Sequence, residues 1–142
     1  MPYEYRRMNQ LNEEIIHEMI AQAKMAAKNA YSPYSKFPVG AAVLSEDGRI
    51  FAGCNVENAS FGMTICAERN AIFQSIARGS RKVRAVVIYT PTTEPTAPCG
   101  ACRQVINEFG TDAEVICVCD SEKRARWTLT QLLTNAFGPY SF

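Results

Sequence analysis

The stretch VRAVVIYTPTTEPTAPCGACRQVINEFGTDAEVICVC, from Val83 to Cys119, decides how this chain is read. Val83 to Tyr89 is rich in β-branched residues and bounded by Pro91, which predicts a strand. Pro98 stands where a helix entry places proline, and Cys99 to Phe109 keeps a helical spacing until Gly110 ends it. Glu114 to Cys119 is the next strand. Strand, helix and strand in succession predict an α/β domain, and the helix begins on a Cys-x-x-Cys pair.

Working outward, Cys66 to Ala77 repeats the helical spacing and stops near Gly79. Before it, Val39 to Leu44 and Ile50 to Val56 flank a tight turn at Asp47-Gly48, the signature of a hairpin. From Asn12 to Ala30, Ile15, Ile16, Met19, Ile20, Ala23 and Ala27 recur with a helical period, with Asn12 as the cap and two acids after it. Beyond Cys119, Ala125 to Leu129 predicts one more strand and Thr130 to Asn135 a short last helix before Phe137-Gly138-Pro139. A first helix followed by β-β-α-β-α-β-β predicts a three-layer α/β/α fold. Its mixed sheet has about five strands with helices on both faces, in a single domain over residues 1–142.

Composition narrows the function. With 47% of residues apolar and 20% charged, the chain buries a core and is unlike a disordered segment. Fifteen Lys and Arg nearly cancel fourteen Asp and Glu, so no overall field gathers a nucleic acid. A small, nearly neutral substrate is expected. No stretch approaches the roughly 18 apolar residues that span a bilayer, and Met1-Pro2-Tyr3-Glu4 lacks a basic-then-apolar leader pattern, so the expected location is cytoplasmic. In a reducing compartment the six cysteines point to metal binding, catalysis or burial.

Two segments carry the chemistry, Thr64-Ile65-Cys66-Ala67-Glu68-Arg69 and Pro98-Cys99-Gly100-Ala101-Cys102-Arg103-Gln104, and each begins a predicted helix. Residues three apart share a helix side, so Cys99 and Cys102 can meet on one metal, and Cys66 can supply a third sulfur. Helix N-termini stabilise the thiolates that zinc requires. Three ligands leave a tetrahedral zinc one open position, the mark of a catalytic site. A fourth ligand is hard to find: His17 lies far away on the first helix, and Cys54, Cys117 and Cys119 sit in predicted strands, where a small buried thiol is the ordinary reading. Taken alone, Cys99-x-x-Cys102 also reads as a redox pair, and one such pair is only moderate evidence for metal. Glu68, two residues past Cys66, is placed to sit over the open position and take a proton from water activated by the metal.

Five segments in order carry a resemblance: Tyr31-Ser32-Pro33-Tyr34-Ser35, Val39-Gly40-Ala41-Ala42, Asn55-Val56-Glu57-Asn58-Ala59-Ser60, Cys66-Ala67-Glu68-Arg69 and Pro98 to Gln104. Together they resemble the small homotetrameric zinc-dependent cytidine deaminases, over about Tyr31 to Pro139. The resemblance implies a cytidine deaminase-like fold, one zinc per chain on Cys66, Cys99 and Cys102, and Glu68 as the catalytic proton carrier. It implies hydrolysis of cytidine and deoxycytidine to uridine and deoxyuridine plus ammonia, in pyrimidine salvage. It further implies Asn55 and Glu57 on the ribose, Phe37 and Ala67 at the base, Phe137 reaching a neighbouring subunit's site, and Arg69 bonded to the ligand sulfurs. Arg103 and Gln104 match the family motif without a separate task.

Two places depart from the family: Phe61 replaces a common tyrosine, and near the end Leu132-Leu133-Thr134 replaces the more usual Leu-Leu-Pro while Lys123-Arg124-Ala125-Arg126 is unusually basic. Rival readings differ in the site. A deaminase of bases within tRNA or DNA usually has histidine at the position of Cys66 and needs a basic face. A zinc-stabilised structural module needs a closed site of four sulfurs, and a thiol-disulfide oxidoreductase needs no metal.

Overall fold

Alternate residues of a strand face opposite sides of a sheet, and here both sides are apolar, which obliges the chain to cover both. The structure, a computed structural model, describes residues 11–142; the opening Met1 to Glu4 lies outside them. The elements are α1 (Glu13–Ala27), β1 (Gly40–Ser45), β2 (Ile50–Cys54), α2 (Ala67–Ala77), β3 (Val83–Tyr89), α3 (Gly100–Phe109), β4 (Glu114–Val118), β5 (Arg124–Thr128) and α4 (Leu129–Leu132). Short 3₁₀ turns occupy Phe61–Met63 and Pro139–Ser141. The five strands form one sheet in the order β2-β1-β3-β4-β5, with β3 and β4 parallel and the other pairs antiparallel. This is the mixed, five-stranded α/β arrangement that the sequence predicts.

On one face α1 sets Ile16, Met19 and Ala23 against Ala42, Leu44, Ala85, Val87, Ile116 and Val118. On the other, Ala67, Ala71 and Ile72 of α2, Ile106 of α3 and Leu129 of α4 pack on Ala41, Val43, Val86, Ile88, Val115 and Cys117. Each large side chain so buried contributes roughly 1.5–3 kcal/mol before the entropy of ordering it. The Asn12 side chain accepts the Ile15 N–H at 2.9 Å, as the sequence leads one to expect of a cap, but α1 ends at Ala27, three residues short of the predicted end. The last helix begins earlier than its predicted start at Thr130. Thr128 N–H donates to Gln131 Oε1 at 2.9 Å and closes a capping box that starts the turn at Leu129. Among the described residues no helix is long and apolar enough to cross a membrane.

The basic run near the end is matched by acidic side chains. Lys123 pairs with Glu94, Arg124 with Glu13 and Arg126 with Glu114.

One contact sets the position of α2. A Cβ at Gly53 would lie 2.4 Å from Ala71 N and 2.9 Å from Ala67 O, so strand β2 touches the backbone of α2 directly. Nearby, Asn70 Nδ2 donates to Cys54 O at 2.8 Å. Gly53→Ala must push α2, and with it Cys66 and Glu68, away from the sheet. The expected result is a loss of about 1–3 kcal/mol in urea unfolding together with weaker zinc retention. Unchanged unfolding and metal content would refute this role for the glycine.

Candidate active site

A thiol that caps its own helix is not free for a metal. Cys66 is the N-cap of α2 and Cys99 the N-cap of α3, both extended, and neither side chain bonds back to its helix. The two helix starts face each other and Cys102 follows in the first turn of α3. The Sγ atoms of Cys66, Cys99 and Cys102 all lie within 4.8 Å of one another, and those of Cys66 and Cys99 are 3.9 Å apart. Zinc–sulfur bonds of about 2.3 Å at tetrahedral angles separate two sulfurs by about 3.8 Å, so this donor set fits zinc. Among the described residues no fourth His, Cys, Asp or Glu joins the group. His17 is exposed, 3.8 Å from Glu13, while Cys117 and Cys119 are buried and Cys54 is half-buried.

The electrostatics match a metal site. Cys66 is held well below the range of a free thiol, first by the hydrogen bond from Cys102 and then, against burial, by the Arg69 guanidinium. Sharing that proton pushes the Cys102 thiol up, and burial adds to it. Arg69 Nη2 donates to Cys66 Sγ at 3.5 Å, and Arg69 Nε is buried without a hydrogen-bond partner among the described residues. A guanidinium with an unspent donor beside three sulfurs suits a cluster whose sulfurs are all ionised, as metal binding requires.

Glu68 is 5% exposed. Burial pushes its carboxyl above the ordinary range, and the charge on Cys66 pushes it the same way. Between them Ala67 packs its methyl into the core, so what it offers a ligand is backbone at the first turn of α2, where N–H groups have no partner in the helix.

Isolated bridges join Tyr31 to Val56 and Val56 to Ile65, which lays the segments of Phe37, Asn55 and Glu57 beside the one leading into Cys66. The Asn55 amide is partly committed: Nδ2 donates to Phe37 O and Oδ1 accepts from Val39 N–H, both at 2.8 Å. It braces the loop that carries the half-buried Phe37. Glu57 Oε1 accepts the N–H groups of Tyr34 at 3.0 Å and Ser35 at 3.1 Å. A hydrogen bond from the Ser35 side chain leads the effects that hold its carboxyl below the ordinary range. Phe61 is 72% exposed and meets the Tyr34 ring edge-on at 5.5 Å.

The structure thus gathers Cys66, Cys99, Cys102, Glu68 and Arg69 at two helix starts, with Asn55, Glu57 and Phe37 alongside. It does not bring Phe137 to them; that ring is 64% exposed and packs edge-on against Phe142. Gly53 and Asn70 escaped the sequence reading, because their partners are backbone atoms that no side-chain pattern reports. A cavity of about 560 Å³ between α1, β2 and α2, lined in part by Cys54, Asn70 and Phe73, contains none of the three thiols. Chemistry, not concavity, locates the site.

Comparison with known proteins agrees with the geometry. Residues 13–119 match the family described as "Cytidine and deoxycytidylate deaminase zinc-binding region". The chain is 53% identical over 94 residues to a cytidine deaminase of Sporosarcina psychrophila, covering 66% of this chain and 69% of that protein. With a cytidine deaminase of Mycobacterium tuberculosis it shares 43% identity over 116 residues, covering 82% of this chain and 84% of the relative. Its fold superimposes on the crystal structure of a cytidine deaminase from Burkholderia pseudomallei with a TM-score of 0.82, at 45% sequence identity, covering 85% of this chain and 98% of the other.

Proposed function

The chain belongs to the cytidine deaminase family, and from that premise we propose that it hydrolyses cytidine and deoxycytidine to uridine and deoxyuridine, with release of ammonia, as a step of pyrimidine salvage. The observation that carries the proposal is a nearly fully buried carboxyl, Glu68, two residues from one of three converging thiols. Cys66, Cys99 and Cys102 would hold zinc, which when bound would supply a Lewis acid that makes water available as a nucleophile near neutral pH. In the net reaction the oxygen of water would replace the amine on the amine-bearing carbon of cytosine: one water proton would pass by way of Glu68 to the amine, which leaves as ammonia, and the other would come to rest on the ring nitrogen beside that carbon as the carbonyl forms.

In this reading Glu68 takes the proton from the attacking water and carries it to the departing amine. Its burial helps, because a carboxyl raised toward working pH both accepts and returns a proton readily. Arg69 offsets the charge of three thiolates. Asn55 and Glu57 hold the ribose hydroxyls, Phe37 lines the base, and Ala67 offers backbone at the same wall. A second copy of the chain completes the site with Phe137, in a homotetramer. The exposure of Tyr34, Phe61 and Phe137, at 48%, 72% and 64%, supports that assembly, since such rings gain by being covered. A cytoplasmic location fits a site that needs three reduced thiols.

The test is ultraviolet absorbance of cytidine and deoxycytidine incubated with purified protein analysed for zinc. Conversion to the uridine products is expected. No conversion at about one zinc per chain would sink the assignment.

A further inference from the structure

Helix α3 starts on two of the three thiols, and it also carries a second set of polar side chains. Arg103, Gln104 and Asn107 all donate to main-chain carbonyls far along the chain. Gln104 Nε2 donates to Phe137 O at 2.8 Å, and Asn107 Nδ2 donates to the same oxygen at 3.3 Å. Arg103 Nη1 donates to Leu132 O at 2.9 Å, while its Nε donates at 2.8 Å to Pro98 O, the carbonyl just before Cys99. One guanidinium therefore ties the entry to the thiol helix and the start of the C-terminal segment together.

The segment is also held by shape. Asn107 is 7% exposed, and Gly138 lies so close that a Cβ there would come within 2.7 Å of Asn107 Nδ2. Between the two held carbonyls the chain turns through Asn135, whose φ of 51° lies in the left-handed region that asparagine tolerates. The backbone is thus fastened on its inner side while the Phe137 ring stays 64% exposed. An apolar ring held outward on a fastened backbone is a surface prepared for contact, because the cost of ordering it is met before the contact is made.

We propose that Arg103, Gln104 and Asn107 are positioning residues that fasten the Phe137 segment to the thiol-bearing helix, so that the ring meets the nucleoside of an adjoining copy already ordered. This rests on the reading of Phe137 as a substrate contact. Because Phe137 lies away from the reacting carbon in that reading, loosening it weakens substrate binding and spares the chemical step.

Gln104→Leu removes one donor and keeps the bulk. The expected result is a KM for cytidine raised about five- to tenfold, with kcat within about twofold and zinc content unchanged. Gln104→Lys, which restores a donor, should recover most of the loss. Combining Gln104→Leu with Phe137→Ala should raise KM no further than Phe137→Ala alone, because both act through one ring. An unchanged KM in Gln104→Leu, or effects of the two substitutions that multiply, overturns the proposal. Hydrogen exchange of residues 132–138 gives a readout without substrate: exchange should quicken in Gln104→Leu, and unchanged exchange overturns the fastening itself. Wild-type protein that fails to deaminate cytidine removes only the reading of the substrate, and the exchange result then decides whether the fastening stands.

Discussion

Glu68→Gln is expected to lower kcat for cytidine by roughly 10³-fold or more while leaving zinc bound. Glutamine matches the size and outline of the glutamate but cannot take a proton from water or return one to the amine. The loss should therefore fall on turnover, with KM moving far less. Stability makes a second, independent prediction. With Glu68 5% exposed, burial disfavours its charged form, and a neutral amide escapes that cost. The variant should melt no lower than wild type. The sign follows from the raised pKa: in the folded chain the carboxyl holds its proton to higher pH than in the unfolded chain, so its contribution weakens as pH rises through the folded value. Ultraviolet assay, zinc analysis and thermal melting on one preparation check all three points. A kcat within about tenfold of wild type would remove Glu68 from the proton-carrying role; zinc loss would instead make it a ligand.

Cys102→Ala has the largest expected effect on the protein itself. Its Sγ is one of three atoms gathered within 4.8 Å, and the residue is fully buried, so no water replaces the lost donor. Two remaining thiols hold zinc poorly, and where folding and metal binding are coupled the lost binding energy is lost stability. Zinc retention should fall more than about tenfold and the melting temperature by at least about 10 °C. Cys117→Ala is the control. Cys117 is also buried, but it packs in the core with Ala67 and Leu129 and takes no part in the metal group, so its loss should cost stability and leave zinc in place. Should the Cys102 variant fail to fold, a strong chelator on wild type gives the same answer: removal of zinc must abolish turnover and lower the melting temperature.

What the sequence made legible, and what it hid, divides along a physical line. Cys66, Cys99, Cys102 and Glu68 were readable because side-chain chemistry at short spacing on helix starts has few uses. The strands themselves were partly readable, since Asp47-Gly48 marks a hairpin and the β-branched run of Val83 to Tyr89, bounded by Pro91, marks a strand. Hidden were contacts whose partners are main-chain atoms. Gln104 and Arg103 had no visible task because Phe137 O and Leu132 O are present in any residue, and nothing in the sequence marks which carbonyl a side chain will find. The family resemblance implied Asn55 as a ribose contact; that its amide braces Phe37 and Val39 depends on a loop path no periodicity reports. The end of α1 and the start of α4 moved for the same reason, each being set by local backbone bonding at the terminus.

The parallel pair β3–β4 separates the thiols along the chain, with Cys66 before β3 and Cys99 and Cys102 after it. Cys66 and Cys99 are 33 residues apart. On a ribosome adding about 5–20 residues per second, a nascent chain waits roughly 2–7 s after Cys66 is made before the next sulfur exists. Through that interval Cys66 is a lone thiol, open to oxidants or to a passing metal that it cannot keep. The full set of three sulfurs therefore cannot exist before β3 has been made.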